Sequence, residues 1–274
     1  MNTTNLIKCI VAIVVGFFML LVAPILVQIS LEPLLVELLG AGPQFSSGIT
    51  LFSLFYPLWR AIGYVAGIVL LAIVPSIYKG KEWTMKVELT AYAVPSISGM
   101  FMFLPYISFV GGFPIPMIIS FVGLVGFWSV LLLHKHDNLL EKIVNIVTYT
   151  FIGMLATHAF VIGIAAQRML ITRAAAPLFD GLEWWILTLS GEVNWIAVLM
   201  LFGSIPLMAE RKKNGWWLAL ISALTIVTID IPTQIIRTKT LDYLVGALLA
   251  AGLLALLLIF KDRLISENQN NIRV

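Results

Sequence analysis

Eight long apolar runs divide this chain, and no other feature constrains its fold as strongly. Each run reaches the about 20 residues that a helix needs to cross a hydrocarbon core of about 30 Å. Charged residues make up only 11% of the 274-residue chain, against about 25% in a soluble domain. The sequence therefore predicts an all-α, polytopic integral membrane protein, a single transmembrane domain of about eight helices. The runs cover residues 6–30, 49–77, 87–109, 114–133, 142–167, 184–208, 215–236 and 241–260.

Basic residues alternate between the two sides of the predicted bundle. Twelve of the seventeen lysine and arginine residues lie at the start of the first run, after the last run, or in the second, fourth and sixth connections and the residues that border them. Cytoplasmic loops carry such an excess, so these segments and both termini are predicted to be cytoplasmic. The short connections fit a prokaryotic plasma membrane. We interpret the pI near 9.0 as a topology signal and predict the lipid bilayer, and no nucleic acid, as a partner.

Tryptophans lie at the predicted membrane edges. Trp83, Trp216 and Trp217 adjoin the basic connections, and Trp184 and Trp185 open the sixth run. Amphipathic aromatic rings concentrate at headgroup depth. We interpret all of them as interfacial anchors.

The four outer connections alternate in length. Residues 31–48 and 168–183 form long connections, whereas the turns near Gly111 and Thr238 are short. Two four-helix halves in the same orientation, residues 1–137 and 138–265, would give this alternation, as parallel repeats do in some transporters.

Ionisable residues inside the apolar runs are the strongest functional signal. Arg60, His158, Glu192 and Asp230 lie within the second, fifth, sixth and seventh runs. An ionisable group near the bilayer centre costs at least about 2.5–3.5 kcal/mol, so it needs a partner or water. At about 1.5 Å per residue, the four groups lie about 10–15 Å below the outer ends of their runs. This depth predicts a polar site in the outer half of the bilayer.

The seventh run carries a polar stripe. Asp230, Gln234 and Arg237 are spaced i, i+4 and i+7 and share one helix face. Pro232 removes a backbone donor and leaves a carbonyl one turn earlier without its usual partner. Two interpretations stay open: a substrate or ion site, or a packing seam in which Asp230 pairs with a basic residue such as Arg60.

The other ionisable residues carry the same two interpretations. Glu192 is a proton site or the donor of one structural hydrogen bond. His158 is a proton relay or a hydrogen-bonded packing residue. Arg60 binds an anionic substrate or pairs with Glu192 or Asp230.

No motif for a cofactor or a metal is apparent. The single cysteine, Cys9, excludes an intrachain disulfide and a cysteine cluster. The segment 134–136 has two histidines but lacks further metal ligands. Nucleotide-binding loops are absent as well. The sequence therefore predicts neither cofactor nor metal, and it does not establish an enzyme.

Three function classes fit these observations. The first is a carrier or channel for a small solute or ion that uses the polar residues as its binding site. The second is a non-catalytic subunit or assembly factor that binds a membrane protein partner or a second copy of itself. The third is a membrane-embedded enzyme acting on a lipid or quinone, with His158 and Glu192 as acid and base.

Overall fold

A computed structural model describes residues 3–134, 138–172, 181–238 and 240–265. Within these ranges the backbone forms helices joined by turns, and eight helical segments are long and apolar enough to cross a membrane. The predicted fold class is therefore confirmed: the protein is an all-α polytopic membrane protein. The segments 135–137 and 173–180, which hold His136 and most of the predicted long connection at 168–183, lie outside the described residues.

The first span consists of α1 (Thr3–Phe17), a π-helical turn (Phe18–Val22) and α2 (Ala23–Gly40). A 3-10 turn at Pro43–Phe45 leads to the second span. The remaining spans are α3 (Ser46–Tyr78), α4 (Thr84–Phe109), α5 (Ile115–Leu132), α6 (Leu139–Thr172), α7 (Leu182–Ala209), α8 (Lys213–Ile236) and α9 (Asp242–Ile259), and a short α10 (Lys261–Leu264) follows.

The predicted long connection at residues 31–48 is wrong. Helix α2 continues to Gly40 and α3 begins at Ser46, so only a short link joins them. Leu34 and Leu38 are fully buried on one face of this extension. Their spacing of one turn lets both pack inward, and the burial of that face keeps the segment helical despite Pro33.

Each half of the chain forms a ring of four spans. In the first half α3 lies against the first span and α4, while α5 lies against α4 and returns to the first span. In the second half α6, α7, α8 and α9 contact one another in the same cyclic order. Helix α4 lies between the two rings, because it contacts α6 and α7 as well as its neighbours in the first half.

Glycines set the closest helix contacts. A Cβ atom at Gly99 of α4 would overlap the backbone nitrogen of Ser120 of α5, and one at Gly67 of α3 would lie 2.9 Å from the carbonyl oxygen of Gly16. Helices approach this closely in membranes where residues are small.

We call the end of the bundle that holds the α3–α4, α5–α6 and α7–α8 connections the basic end, and the other the far end.

The far ends of the helices do not lie in one plane. Helices α5 and α9 have 18 residues each, about 27 Å, whereas α6 has 34, about 51 Å. His158, fourteen residues before the end of α6 at Thr172, bonds to the carbonyl of Asp242 at the start of α9. His158 thus lies about 20 Å from the far end of α6 but level with the far end of α9. The depth of a residue on one helix therefore cannot be compared directly with the depth of a residue on the other.

The interpretation as an interfacial anchor, made for five tryptophans, is wrong for Trp216. Its side chain is 3% exposed and its indole N–H donates to the carbonyl of Leu257 at 2.9 Å. The ammonium group of Lys261 lies 5.4 Å from its ring centre. Trp216 thus ties α8 to α9, while its neighbour Trp217 stays 44% exposed.

Candidate functional site

Asp230 is the most deeply buried charged group of the predicted site. It lies on α8, six residues before the helix ends at Ile236, and its side chain is fully buried. Oδ1 accepts a hydrogen bond of 3.0 Å from Asn194, while Oδ2 is buried without a hydrogen-bond partner. Among the described residues no basic side chain forms an ion pair with it. A buried carboxylate without a counter-charge is costly, so it calls for a proton or another cation.

Helix α7 supplies the polar side chains that face Asp230. Ser190 and Asn194 are one turn apart and both are fully buried. The amide of Asn194 donates both to Asp230 and to the carbonyl of Ser190, at 3.0 and 2.8 Å. Its oxygen, Oδ1, has no hydrogen-bond partner. Two buried acceptor oxygens on facing helices therefore lack a donor.

Gly246 of α9 brings Asp230 and His158 together. A Cβ atom at this position would overlap Asp230 Oδ2 and would lie 3.1 Å from His158 Nε2. The two side chains therefore occupy the space that a larger residue would fill. His158 Nε2 bonds to the carbonyl of Asp242 at 2.8 Å. Because a carbonyl oxygen only accepts, Nε2 carries the hydrogen, and Nδ1 is the nitrogen that can exchange a proton.

Tyr243 closes the cluster from the first turn of α9. Its side chain is 2% exposed, and its hydroxyl lies 3.5 Å from Ser190 Oγ. We call five side chains the polar cluster: His158 from α6, Ser190 and Asn194 from α7, Asp230 from α8 and Tyr243 from α9. Each helix of the second ring contributes to it.

Gln234 belongs to the turn between α8 and α9. Its Nε2 donates to the carbonyls of Arg237 and Thr240, at 2.9 and 2.7 Å. Its Oε1 accepts from the backbone nitrogen of Leu244 at 2.8 Å. Both amide hydrogens are thus used inside the protein, and the side chain fixes the start of α9.

Arg237 forms no ion pair with Asp230 in the part of the chain that the structure describes. Its guanidinium contacts the sulfur of Met169 on α6. The predicted stripe along α8 is therefore divided, because Asp230 enters the polar cluster, Gln234 holds a turn and Arg237 reaches α6. Pro232 is accommodated within α8, where the hydroxyl of Thr233 donates to the carbonyl of Ile229 at 2.6 Å.

Of the two interpretations of Arg60, the structure does not form the pair with Asp230 or Glu192. Arg60 donates to the side-chain oxygen of Gln28 on α2 at 3.2 Å, and Gln28 donates to Glu32 at 2.8 Å. Arg60 projects between α3 and the first span, whereas Asp230 lies inside the second ring. The guanidinium thus belongs to a separate, partly exposed network.

Glu192 is not part of the polar cluster. Ser190 and Asn194 face α8, and Gly191 packs against Ala166 of α6. Successive residues of a helix are rotated by about 100°, so the side chain of Glu192 points away from both α6 and α8. It is exposed. His158 has the Asp242 carbonyl as its partner, so the acid and base pair that the enzyme hypothesis requires is not formed.

Sequence reasoning did not single out Asn194, Tyr243 or Glu88. Ser190 and Asn194 have i, i+4 spacing in an apolar run, which is a readable signal for a buried polar face. Glu88 is 1% exposed in the first turns of α4, and neither of its carboxylate oxygens has a hydrogen-bond partner. An acidic residue among apolar neighbours at the start of the third run was the available signal.

Charges at the basic end are paired instead. Glu210 bonds to Lys86, and its Oε2 lies 2.6 Å from the ammonium of Lys212. These hydrogen bonds hold the pKa of Glu210 below its ordinary value. Arg211 pairs with Glu141 of α6 at 3.1 Å. All of these side chains are partly exposed, so they link connections at the surface.

A cavity of about 250 Å³ lies between the two rings, where α4, α5, α6 and α7 meet. Its wall is mainly apolar and holds hydroxyl groups on three helices: Ser96, Ser120, Tyr149, Thr150 and Thr157. Thr157 directly precedes His158, which places one end of the cavity beside the polar cluster.

The chain was compared with known proteins at the levels of family, sequence and structure. No protein-family model matches it, and neither a curated protein nor a solved structure shows significant similarity. The geometry of the polar cluster therefore carries the functional argument. A buried carboxylate, an amide oxygen and an imidazole together can bind and release a proton or a small cation.

Proposed function

We propose that this protein is a carrier or channel for a small monovalent cation, protons included, and that Asp230 is the group that binds it. The observation that carries the proposal is the unpartnered Oδ2 of a fully buried aspartate. Asn194 Oδ1 is a second unpartnered oxygen on the facing helix. A bound cation or proton would satisfy the charge and hydrogen-bonding capacity that the protein leaves open.

His158 can couple its own protonation to the binding of a cation at Asp230. It shares the space beside Gly246 with Asp230, and its Nδ1 is the nitrogen not held by the Asp242 carbonyl. A change of charge at Asp230 would change the electrostatic field at the imidazole. We therefore assign His158 the role of a group that responds to occupancy of Asp230.

The test is cation flux in liposomes that contain the purified protein. A potassium gradient with valinomycin sets the membrane potential, and a trapped pH-sensitive dye reports proton entry. A second set with a trapped sodium-sensitive dye separates sodium from protons. We expect Asp230→Asn to reduce flux to the level of empty liposomes, because the amide cannot carry the charge.

Glu192→Gln is the matched control. It removes a carboxylate from a neighbouring span that is exposed outside the polar cluster, so flux should remain. Unchanged flux in Asp230→Asn would overturn the proposal. An equal loss in both variants, with normal thermal stability, would overturn the assignment of the polar cluster as the binding site.

A second candidate function is that of a subunit or assembly factor, and one observation favours it. The polar network of Gln28, Glu32 and Arg60 lies on the outside of the first ring, with Gln28 and Glu32 exposed. Polar side chains on an outer face of membrane helices fit contact with another protein. Purification in mild detergent with mass spectrometry tests this candidate: a stoichiometric partner lost in Arg60→Leu would support it, and a lone chain would refute it.

We also propose that the basic end faces the cytoplasm of a prokaryotic cell, and that the two rings are parallel repeats. The excess of basic residues at one end supports the orientation, and the same cyclic order of contacts in each ring supports the repeats. Cysteines introduced at Lys213 and Gly112 test the orientation. A membrane-impermeant maleimide added to intact cells should label only the second position.

A further inference from the structure

Among the residues that the structure describes, Glu88 of α4 and Asp230 are the two buried carboxylates, and the polar cluster does not include Glu88. It lies four residues after the start of α4 at Thr84, about 6 Å along the helix from the basic end. Its side chain is 1% exposed, and both carboxylate oxygens lack hydrogen-bond partners. The Thr84 hydroxyl, one turn before it, donates to the carbonyl of Lys81 at 2.8 Å and lies close enough to the Glu88 carboxyl to interact with it.

Tyr92 adds a third unpartnered polar atom beside Glu88. It lies one turn further along α4, is fully buried, and its hydroxyl has no hydrogen-bond partner. Long side chains of a helix point toward its N-terminus, so the tyrosine ring extends toward Glu88. The two groups interact electrostatically. The two carboxylate oxygens of Glu88 and the hydroxyl of Tyr92 are thus three buried polar atoms that call for a partner such as water or a cation.

The first span faces this pair with further titratable groups. Among the described residues, Lys8 and Cys9 of α1 interact electrostatically with Glu88, as Tyr92 does from α4 itself. Lys8 is partly exposed, and it lies between Glu88 and the surface at the basic end. A cation or proton that reaches Glu88 from that surface therefore passes an ammonium group.

The cavity between the rings lies between the two buried acids. Ser96 follows Tyr92 by one turn on α4, donates to its carbonyl at 2.7 Å, and lines the cavity. Thr157 lines the cavity further from the basic end and adjoins His158. A volume of about 250 Å³ is large enough for several water molecules at about 30 Å³ each. Glu88 and Tyr92 thus lie nearer the basic end than Thr157 at the edge of the cavity, and His158 and Asp230 lie at about the same depth as Thr157.

From this arrangement we propose that Glu88 and Tyr92 form a second cation site, which exchanges the cation carried by Asp230 with the solution at the basic end. The inference rests on the proposed function. For a proton, the carboxylate of Glu88 gains the proton from water, and the proton leaves it for water in the cavity and then for the carboxylate of Asp230. Neither step forms or breaks any other bond.

The test combines flux with chemical labelling. In liposomes, Glu88→Gln should lose cation flux as Asp230→Asn does, and Tyr92→Phe should reduce it. Glu82→Gln is the matched control, because it removes an exposed carboxylate from the neighbouring connection. Labelling uses a hydrophobic carbodiimide on the whole chain in detergent, which attacks protonated carboxyl groups, followed by mass spectrometry of the modified peptide.

We expect the carbodiimide to modify Glu88, the modification to decrease as the pH rises, and Asp230→Asn to leave it unchanged. Wild-type flux in a folded Glu88→Gln would overturn the inference while the proposed function stands. If the unmodified protein moves no cation, the proposed function fails, and labelling alone decides about Glu88. Labelling that responds to pH would then support an exchangeable site, and absence of labelling at every pH would refute it.

Discussion

The α4–α5 pair and the α8–α9 pair occupy the same place in the two rings, and glycines serve different purposes in them. In α4–α5, two glycines let the backbones touch. A Cβ atom at Gly99 would overlap the backbone nitrogen of Ser120, and a Cβ atom at Gly123 would overlap that of Ser96. In α8–α9, Gly246 makes room for side chains, those of Asp230 and His158. Glycine thus serves backbone contact in the first pair and side-chain contact in the second.

The largest loss of stability should follow Gly99→Ala. The added methyl group meets the backbone of Ser120, which cannot move without shifting α5. Overpacking of this kind costs about 1–3 kcal/mol, and we expect the upper part of that range. Gly153→Ala is the control, because a Cβ atom there has no neighbour within 4 Å. Thermal unfolding can be followed by the reaction of a thiol-specific dye with Cys9, the only cysteine, which is buried.

Trp216→Phe should destabilise the α8–α9 pair at the basic end of the bundle. The substitution keeps an aromatic ring but leaves the carbonyl of Leu257 without its donor, which costs about 1–3 kcal/mol for a buried group. Trp217→Phe should be close to neutral, since that ring is 44% exposed. Equal unfolding temperatures for the two variants would contradict a structural role for Trp216.

Gly246→Ala should cost less stability than Gly99→Ala, about 1 kcal/mol, because the neighbours are side-chain ends rather than backbone. Its effect on cation flux should be larger than its effect on stability, since Asp230 and His158 must move apart. Flux in liposomes and dye-monitored unfolding of the same preparation measure both. A variant that is strongly destabilised but transports normally would reverse the comparison between the two pairs.

The smallest effect is expected at the paired charges of the basic end. Lys212 and Lys86 hold the pKa of Glu210 below its ordinary value of 4.5. The ion pairs therefore contribute their full stabilisation when the pH is above 4.5. This stabilisation is lost as the pH falls through the lowered pKa of the folded protein. Glu210→Gln should therefore reduce stability at neutral pH by less than about 1 kcal/mol. The difference from the unmodified protein should disappear in acid, and a difference that grows in acid would contradict this account.

The sequence predicted the spans because hydrophobicity acts locally along the chain. Eight apolar runs became eight helical segments. The cost of burying charge drew attention to Asp230 and His158, and the structure brings these two residues together beside Gly246. The long connection at residues 31–48 was predicted wrongly, because charged residues and Pro33 suggested a loop where the inward-facing Leu34 and Leu38 keep α2 helical.

Only the tertiary structure decided which polar groups face one another. Glu192 and Asn194 differ by two positions on α7, yet one is exposed and the other is fully buried against Asp230. Helix rotation and neighbour choice depend on the packing of all eight spans, including the glycine contacts that fix their separation. The sequence alone therefore established a membrane bundle with buried charge, whereas the partners of Arg60, the role of Gln234 and the pairing of Asp230 with Asn194 followed from how the helices pack.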